Sequence, residues 1–246
     1  MDLNIKKVLG DFDFWNSWTE ITPIEQKAIE AVVKARALIV ASIPAEELVA
    51  IYIKGSFVRR EMNENSDVDM VPIVKTTDFE GQVFNVNDED INPVMVVPLS
   101  IEEFEKNELM TETSKPVDLR AKPDRMLRMI KECRLIFGQE LDASKYPMRS
   151  DAQAYEDEKE IINIGYIPLY LQGSIKFDPL LKEFFWMTEM ELLSKGIQVP
   201  HTFVGIAKAA PPEHLIHEAL KIREMGVLDK NTELEFVDKL KAKLKV

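Results

Sequence analysis

Segment 49–74 constrains the fold more than any other part of the chain. An apolar run ends at Gly55, ten mostly polar residues follow Ser56, and a second apolar run begins at Asp67. Short apolar runs separated by polar and glycine-containing segments are typical of buried strands. The segment therefore predicts two neighbouring strands, Val49–Ile53 and Asp67–Val74, which are connected through a turn at Gly55.

The second predicted strand begins with two carboxylates, Asp67 and Asp69. Alternate residues of a strand point to the same face of a sheet, so we expect these side chains to project together. Mg²⁺ is usually bound by one or two carboxylates together with substrate phosphates. Gly55 has no Cβ and would let a phosphate approach the backbone, while Ser56 adds a hydroxyl and an amide donor. The pattern predicts a site for a metal ion and a triphosphate.

This arrangement resembles the signature of the DNA polymerase beta-like nucleotidyltransferases, in which Gly-Ser or Gly-Gly precedes Asp-x-Asp or Asp-x-Glu by a similar spacer. Here Gly55-Ser56 precedes Ser66-Asp67-Val68-Asp69, and the resemblance covers roughly residues 28–142. It is strongest to the small and aminoglycoside-type members that have a helical C-terminal domain. The resemblance implies an α+β fold. A nucleotidyltransferase domain with a mixed sheet flanked by helices would occupy 1–145, and an all-α helical domain would occupy 146–246.

The resemblance also implies a Mg²⁺-dependent enzyme. Such an enzyme transfers a nucleoside monophosphate from a triphosphate, ATP for example, to a hydroxyl of a small-molecule or protein acceptor. Asp67 and Asp69 would be the catalytic metal ligands, at a site with room for two Mg²⁺ ions. Gly55 and Ser56 would hold the β- and γ-phosphates. Lys54 and Arg60 are nearby cations that we also assign to nucleotide binding, although each can equally be a structural charge.

The third predicted strand, Val94–Val97, departs from the pattern. Active members of the family usually carry a third carboxylate there, which activates the attacking hydroxyl and helps to bind the metal. By our register Met95 stands at that position, and methionine is a poor ligand for Mg²⁺. The alternative hypothesis is therefore a non-catalytic nucleotide-binding or regulatory protein on the same fold.

Other carboxylates offer two further sources of a third acid. One is the acidic loop just before the third strand, and the other is the helical half of the chain, as in some related enzymes. The sequence does not choose among the candidates, which are Asp88, Glu89, Asp90, Glu156, Asp157, Glu158, Glu160, Glu189 and Glu191.

Several helices are indicated by caps and by apolar periodicity. Thr22 followed by Pro23 predicts a helix start, and Pro123 predicts the start of a helix that runs through Cys133. Residues 144–151 have the character of a linker. Beyond them we predict four to five helices, with the clearest helical periods at 156–173, 179–196, 212–226 and 233–244.

The whole-chain properties exclude some functions. A formal charge of −12 argues against general nucleic-acid binding, which needs clustered lysine and arginine. The single cysteine, Cys133, cannot form an internal disulfide, which favours a reducing compartment such as the cytoplasm. We see no signal peptide and no apolar stretch long enough to cross a membrane. We expect the three histidines to be ordinary surface or capping residues, and the apolar run 184–187 to be core or a docking surface for a partner or a second copy.

Overall fold

The computed structural model describes residues 12–64, 66–110, 119–226 and 229–245. Within these residues the chain divides into two compact units. The first contains 12–110 and 120–148, and the second contains residue 119 and 149–245. Residues 1–11, in which we expect no signal peptide, lie outside the described part of the chain.

The first unit is an α+β structure built on a mixed sheet. The strand order is β3-β2-β1-β5, and β4 also pairs with β2. Strand β1 is antiparallel to both of its neighbours, whereas β2 is parallel to β3 and β4. The elements are, in chain order, α1 (Pro23–Ser42), β1 (Leu48–Lys54), α2 (Ser56–Arg59), β2 (Val68–Val74), α3 (Glu80–Phe84), β3 (Val94–Val96), β4 (Leu99–Ser100), α4 (Ile101–Lys106), α5 (Pro123–Arg128) and β5 (Arg134–Gly138).

Helix α1 starts where its capping residues predict. The Thr22 hydroxyl accepts a hydrogen bond from the Glu25 amide, and the Glu25 carboxylate accepts one from the Thr22 amide at 2.8 Å. These two bonds satisfy amides that have no partner within the helix. The helix then buries Ala28, Val32 and Ile39, which helical spacing places on one face.

Both faces of the sheet are covered. Ile51, Ile53 and Met70 pack in the same core as α1 on one face. On the other face Tyr52 and Val71 belong to a second core, to which α4 and α5 also contribute. Burial on both sides explains why β1 and β2 are almost continuously apolar. The polar residues of these strands are confined to the end where β1 stops and β2 starts.

The segment around Cys133 corrects the sequence prediction. The predicted helix from Pro123 ends at Arg128, and Arg134–Gly138 is a strand paired with β1. Gly138 has φ +82°, and a Cβ there would lie 2.0 Å from the Val49 carbonyl oxygen, so a side chain is excluded. Pairing with β1 overrides the helical tendency of the local sequence.

All regular secondary structure among the described residues of the second unit is helical. Its core includes the fully buried Phe184, Phe185 and Met187, so most of the apolar run 184–187 is interior and not a docking surface. No helix in the described ranges is both long and apolar enough to cross a membrane. The α-helices are α6 (Asp151–Ile161), α7 (Ile167–Leu171), α8 (Phe177–Ser194), α9 (Phe203–Ala209), α10 (Ile216–Met225) and α11 (Lys230–Leu244), and a π-helical turn, Ile162–Tyr166, joins α6 to α7.

Candidate nucleotide and metal site

The turn between β1 and α2 brings the backbone against a carboxylate. Gly55 has φ +84° and ψ −153°, a conformation that is essentially restricted to glycine. A Cβ built on Gly55 would lie 3.0 Å from Oδ2 of Asp69. The absence of a side chain at Gly55 is therefore needed both for the turn and for the position of the Asp69 carboxylate.

The two predicted metal ligands lie at the start of β2. Asp69 is half-buried, and Asp67 is exposed and immediately precedes the strand. Val68, between them, is fully buried in the core shared with α1, so the alternation of β2 directs the aspartates to the opposite face. Within the described part of the chain, neither aspartate forms a salt bridge. Their carboxylate oxygens are therefore available to an added cation.

Lys54 is the cation that the sheet places beside Asp69. The two residues are direct partners in the antiparallel pairing of β1 and β2, and Lys54 is half-buried. Both charges affect the pKa of the buried Cys133 thiol. Burial raises the pKa of Cys133 to about 11, Lys54 acts to lower this pKa, and Asp69 acts to raise it. The thiol is therefore protonated at neutral pH, a form in which cysteine is a poor nucleophile.

Arg60, which we had assigned to nucleotide binding, contacts a different part of the unit. Its guanidinium donates to both carboxylate oxygens of Glu25, at 2.8 and 3.0 Å, and also to the backbone carbonyl of Glu20. It also lies 4.6 Å from the centre of the Trp18 ring. The hydrogen bond from Arg60 is the main reason that the pKa of Glu25 falls to about 2. This geometry gives Arg60 a structural role at the start of α1 and does not bring it together with Asp69.

Met95 lies on the third strand, at the position where the family usually carries its third carboxylate. Met95 is the direct partner of Asp69 in the parallel pairing of β2 and β3, and 45% of Met95 is exposed. Of the upstream acids, Asp90 forms a 2.8 Å salt bridge with Lys34 of α1, the helix that covers the other face of the sheet. Asp88 accepts a hydrogen bond from the amide of Asp90. Asp90 is thus engaged with the helix on the other face of the sheet, whereas the hydrogen bond of Asp88 is local to its own loop.

Several candidate acids of the helical unit have partners within that unit. Glu156 pairs with Lys159 and Asp157 with Arg149, whereas Glu158 is buried and Glu160 is exposed. On α8, Glu189 meets His201 Nδ1 at 2.8 Å, and Glu191 meets His214 Nε2 at 3.2 Å. The sequence spacing offered no signal for these glutamate–histidine pairs, because their partners lie on other segments of the helical unit.

The histidines do not form a metal site. His214 accepts the Ile216 amide on Nδ1, and its Nε2 lies 3.2 Å from the Glu191 carboxylate and 3.0 Å from the Lys243 ammonium. His217 donates to the carbonyl of Pro211 at 2.8 Å. Across the described ranges, no group of three or more His, Cys, Asp or Glu residues could hold a metal ion.

Comparison with solved structures shows that the fold of this chain, an α+β structure with a helical region, is similar to that of a nucleotidyltransferase of known structure. Spectinomycin adenyltransferase AAD(9) from Enterococcus faecialis, whose crystal structure contains ATP and spectinomycin, is similar over 88% of this chain and 99% of its own, with 16% identity and a TM-score of 0.50. A proposed nucleotidyltransferase from Sulfolobus solfataricus covers 37% of this chain and 85% of its own, at 18% identity and a TM-score of 0.29. No protein-family model matches the sequence, and no curated protein matches it significantly.

Proposed function

We propose that this chain is a nucleotidyltransferase that transfers a nucleoside monophosphate from a nucleoside triphosphate to a hydroxyl of a small-molecule acceptor. The observation that carries the proposal is the position of the Asp69 carboxylate against the side-chain-free Gly55, on a nucleotidyltransferase fold. The ATP and spectinomycin in the AAD(9) structure favour ATP as the donor and a small molecule as the acceptor. A protein acceptor remains the second choice for this chain.

The donor set fits Mg²⁺. Asp67 and Asp69 provide carboxylate oxygens from one face of β2, and phosphate oxygens of the substrate complete such a site in other proteins. We propose that Asp67 and Asp69 hold the ion. When bound, Mg²⁺ would neutralise negative charge on the phosphate oxygens.

The neighbouring residues would position the triphosphate. Gly55 permits a phosphate to approach the backbone, and the first amides of α2 have no partners within that helix. We therefore assign Gly55 and Ser56 to the β- and γ-phosphates, and Lys54 to stabilisation of their charge. In the reaction the acceptor hydroxyl oxygen bonds to the α-phosphorus, the bond to pyrophosphate breaks, and the hydroxyl proton passes to a base. Arg60 is not part of this proposal, because Glu25 binds its guanidinium.

The remaining assignments are also proposals. We propose that the first 145 residues form the nucleotidyltransferase domain and that residues 146–246 form the helical domain. The single cysteine, Cys133, favours the cytoplasm. A homodimer is a further prediction.

A second candidate function is nucleotide binding without turnover. It is favoured by Met95, which is paired with Asp69 and offers no oxygen ligand or base. This candidate predicts that triphosphates bind but that no pyrophosphate is released with any acceptor. Turnover by the unmodified protein would exclude it.

Calorimetric titration with ATP, GTP, CTP and UTP in the presence of Mg²⁺ tests the proposal. We expect at least one triphosphate to bind, and we expect the variant with both Asp67→Ala and Asp69→Ala to lose this binding. Glu64→Ala is the matched control, because it removes an exposed carboxylate close to the motif but off the strand. Absence of binding by the wild type, or equal binding by the double variant, would contradict the proposal.

A further inference from the structure

One row of side chains crosses three neighbouring strands at the candidate site. Lys54 of β1 pairs with Asp69 of β2, and Asp69 pairs with Met95 of β3. Direct partners in a sheet share a face and have Cβ atoms about 5 Å apart. Along this row the side chains are therefore positive, negative and uncharged.

The Asp69 carboxylate lies toward one side of this row. Its Oδ2 atom is 3.0 Å from the Cβ position of Gly55, at the end of β1. Strand β1 and strand β3 flank β2 on opposite sides. The carboxylate thus faces the Gly55 turn. On the β3 side of the row, the direct partner among the described residues is Met95, whose thioether is a poor ligand for a hard cation.

The charges of the row also disfavour a second cation. Two divalent ions held 3.5–4 Å apart need several negative ligands, as in known two-metal sites. Here Asp67 and Asp69 supply two carboxylates, and Lys54 already places one positive charge beside Asp69. Like charges at such separations repel, so the Lys54 ammonium disfavours a second cation near Asp69.

We infer that the site binds one divalent cation with its nucleotide, and that the Lys54 ammonium provides the positive charge that a second cation would otherwise supply. The inference deepens the proposed function and rests on it. The cation is held by Asp67 and Asp69 at the Gly55 side of β2, and Met95 leaves the β3 side without a ligand.

The number of Mn²⁺ ions bound per chain tests this inference without any measurement of turnover. Free Mn²⁺ is counted by electron paramagnetic resonance at saturating α,β-methylene-ATP. We expect one ion per chain. Two ions with bound nucleotide would overturn the inference and leave the proposed function intact, whereas failure of the analogue to bind would contradict the proposed function itself.

A matched pair of variants tests Met95. Because nearly half of Met95 is exposed, both Met95→Asp and Met95→Leu should retain the fold, which thermal unfolding would verify. We expect Met95→Asp to bind a second Mn²⁺ with the analogue and Met95→Leu to bind one. If Met95→Asp still binds only one ion, Met95 does not limit the number of metals and the inference is wrong.

Lys54→Gln tests whether the Lys54 ammonium repels a divalent cation at Asp69. Loss of the ammonium should strengthen binding of Mn²⁺ to the nucleotide-free protein by about 3- to 10-fold, because repulsion beside Asp69 disappears. Lys75→Gln removes an exposed lysine just beyond the other end of β2 and should leave this affinity unchanged. Equal Mn²⁺ affinities of the wild type and Lys54→Gln would show that Lys54 is not the compensating charge.

Discussion

The carboxylates of the two units differ in how they are neutralised. On α8, the Glu191 carboxylate lies 2.7 Å from the Lys195 ammonium, 3.0 Å from the Lys243 ammonium and 3.2 Å from the His214 imidazole. On β2, within the described residues, Asp67 and Asp69 form no salt bridge. The helical unit therefore uses its own cations to hold a buried acid, and the sheet unit presents acids whose charge an external cation can satisfy. The comparison distinguishes carboxylates that stabilise the fold from those proposed to bind a ligand.

The ion pairs of Glu191 make the stability of the helical unit depend on pH. Burial alone would raise the pKa of Glu191, but hydrogen bonds from His214, Lys195 and Lys243 outweigh it and hold this pKa below its usual range. A depressed carboxyl pKa contributes stability at pH values above the unfolded pKa, and this contribution is lost as the pH falls. The stability of the helical unit should therefore decline in acid as Glu191 takes up a proton.

The largest effect is expected from replacing both aspartates of β2. Asp67→Asn with Asp69→Asn keeps the side-chain size but removes the charge that binds the cation. We expect Mg²⁺-dependent triphosphate affinity to fall by at least ~100-fold, about 2.7 kcal/mol, with little change in thermal unfolding. Calorimetry and a melting curve measure the two quantities. A large loss of stability instead would place these acids with Glu191 on the structural side of the comparison.

Glu191→Gln should show the opposite pattern. The change leaves two lysines and a histidine beside an uncharged amide, and only 9% of the Glu191 side chain is exposed. We expect the free energy of unfolding to fall by about 2 kcal/mol, discounted because Lys195 is largely exposed. Urea denaturation measures this loss, which should shrink as the pH falls below the ordinary pKa of glutamate toward the lowered pKa of folded Glu191. Triphosphate affinity should not change, and a change would break the distinction between the two sets.

Gly55→Ala should affect both quantities, because Gly55 serves the backbone and the site together. Its φ of +84° imposes strain of about 1–2 kcal/mol on any side chain, and the added Cβ would contact Oδ2 of Asp69. We expect lower stability in denaturation and weaker Mg²⁺-dependent binding in calorimetry. Gly81→Ala is the control, since nothing lies within 4 Å of its Cβ position. Unaltered binding by Gly55→Ala would separate the turn from the ligand site.

The smallest effect is expected at the Arg60–Glu25 pair. Glu25→Gln should lower the free energy of unfolding by about 1 kcal/mol, because Arg60 is 36% exposed and solvent screens the pair. The folded pKa of Glu25 is about 2, below its ordinary value of 4.5, so its contribution is complete above pH 4.5 and is lost toward pH 2. Denaturation at pH 7 and at pH 2.5 measures the difference. Weaker triphosphate binding by this variant would restore Arg60 to the nucleotide site.

Local signals predicted a large share of the fold. The capping box at Thr22, the turn at Gly55 and the apolar strands on either side of it depend on residues a few positions apart, and the structure has all of them. The family resemblance placed Met95 at the third-carboxylate position, and in the structure Met95 pairs with Asp69. The roles of Asp67, Asp69, Gly55 and Ser56 stay predictions until nucleotide binding is measured.

Long-range contacts decided the features that the sequence did not reveal. The segment after Cys133 is a strand because β1 offers it a pairing edge, although its local pattern favoured helix. Arg60 is bound by Glu25, 35 residues away, and Glu189 by His201, so neither charge could be assigned from its neighbours in sequence. The spacing of residues in the sequence was sufficient to recognise the Gly-Ser and Asp-x-Asp motif and to predict the two strands that carry it. This is possible because the backbone geometry of a strand repeats over a few residues. Only the tertiary structure placed Lys54 beside Asp69 and paired Asp90 with Lys34, because side chains acquire such partners only when distant segments pack together.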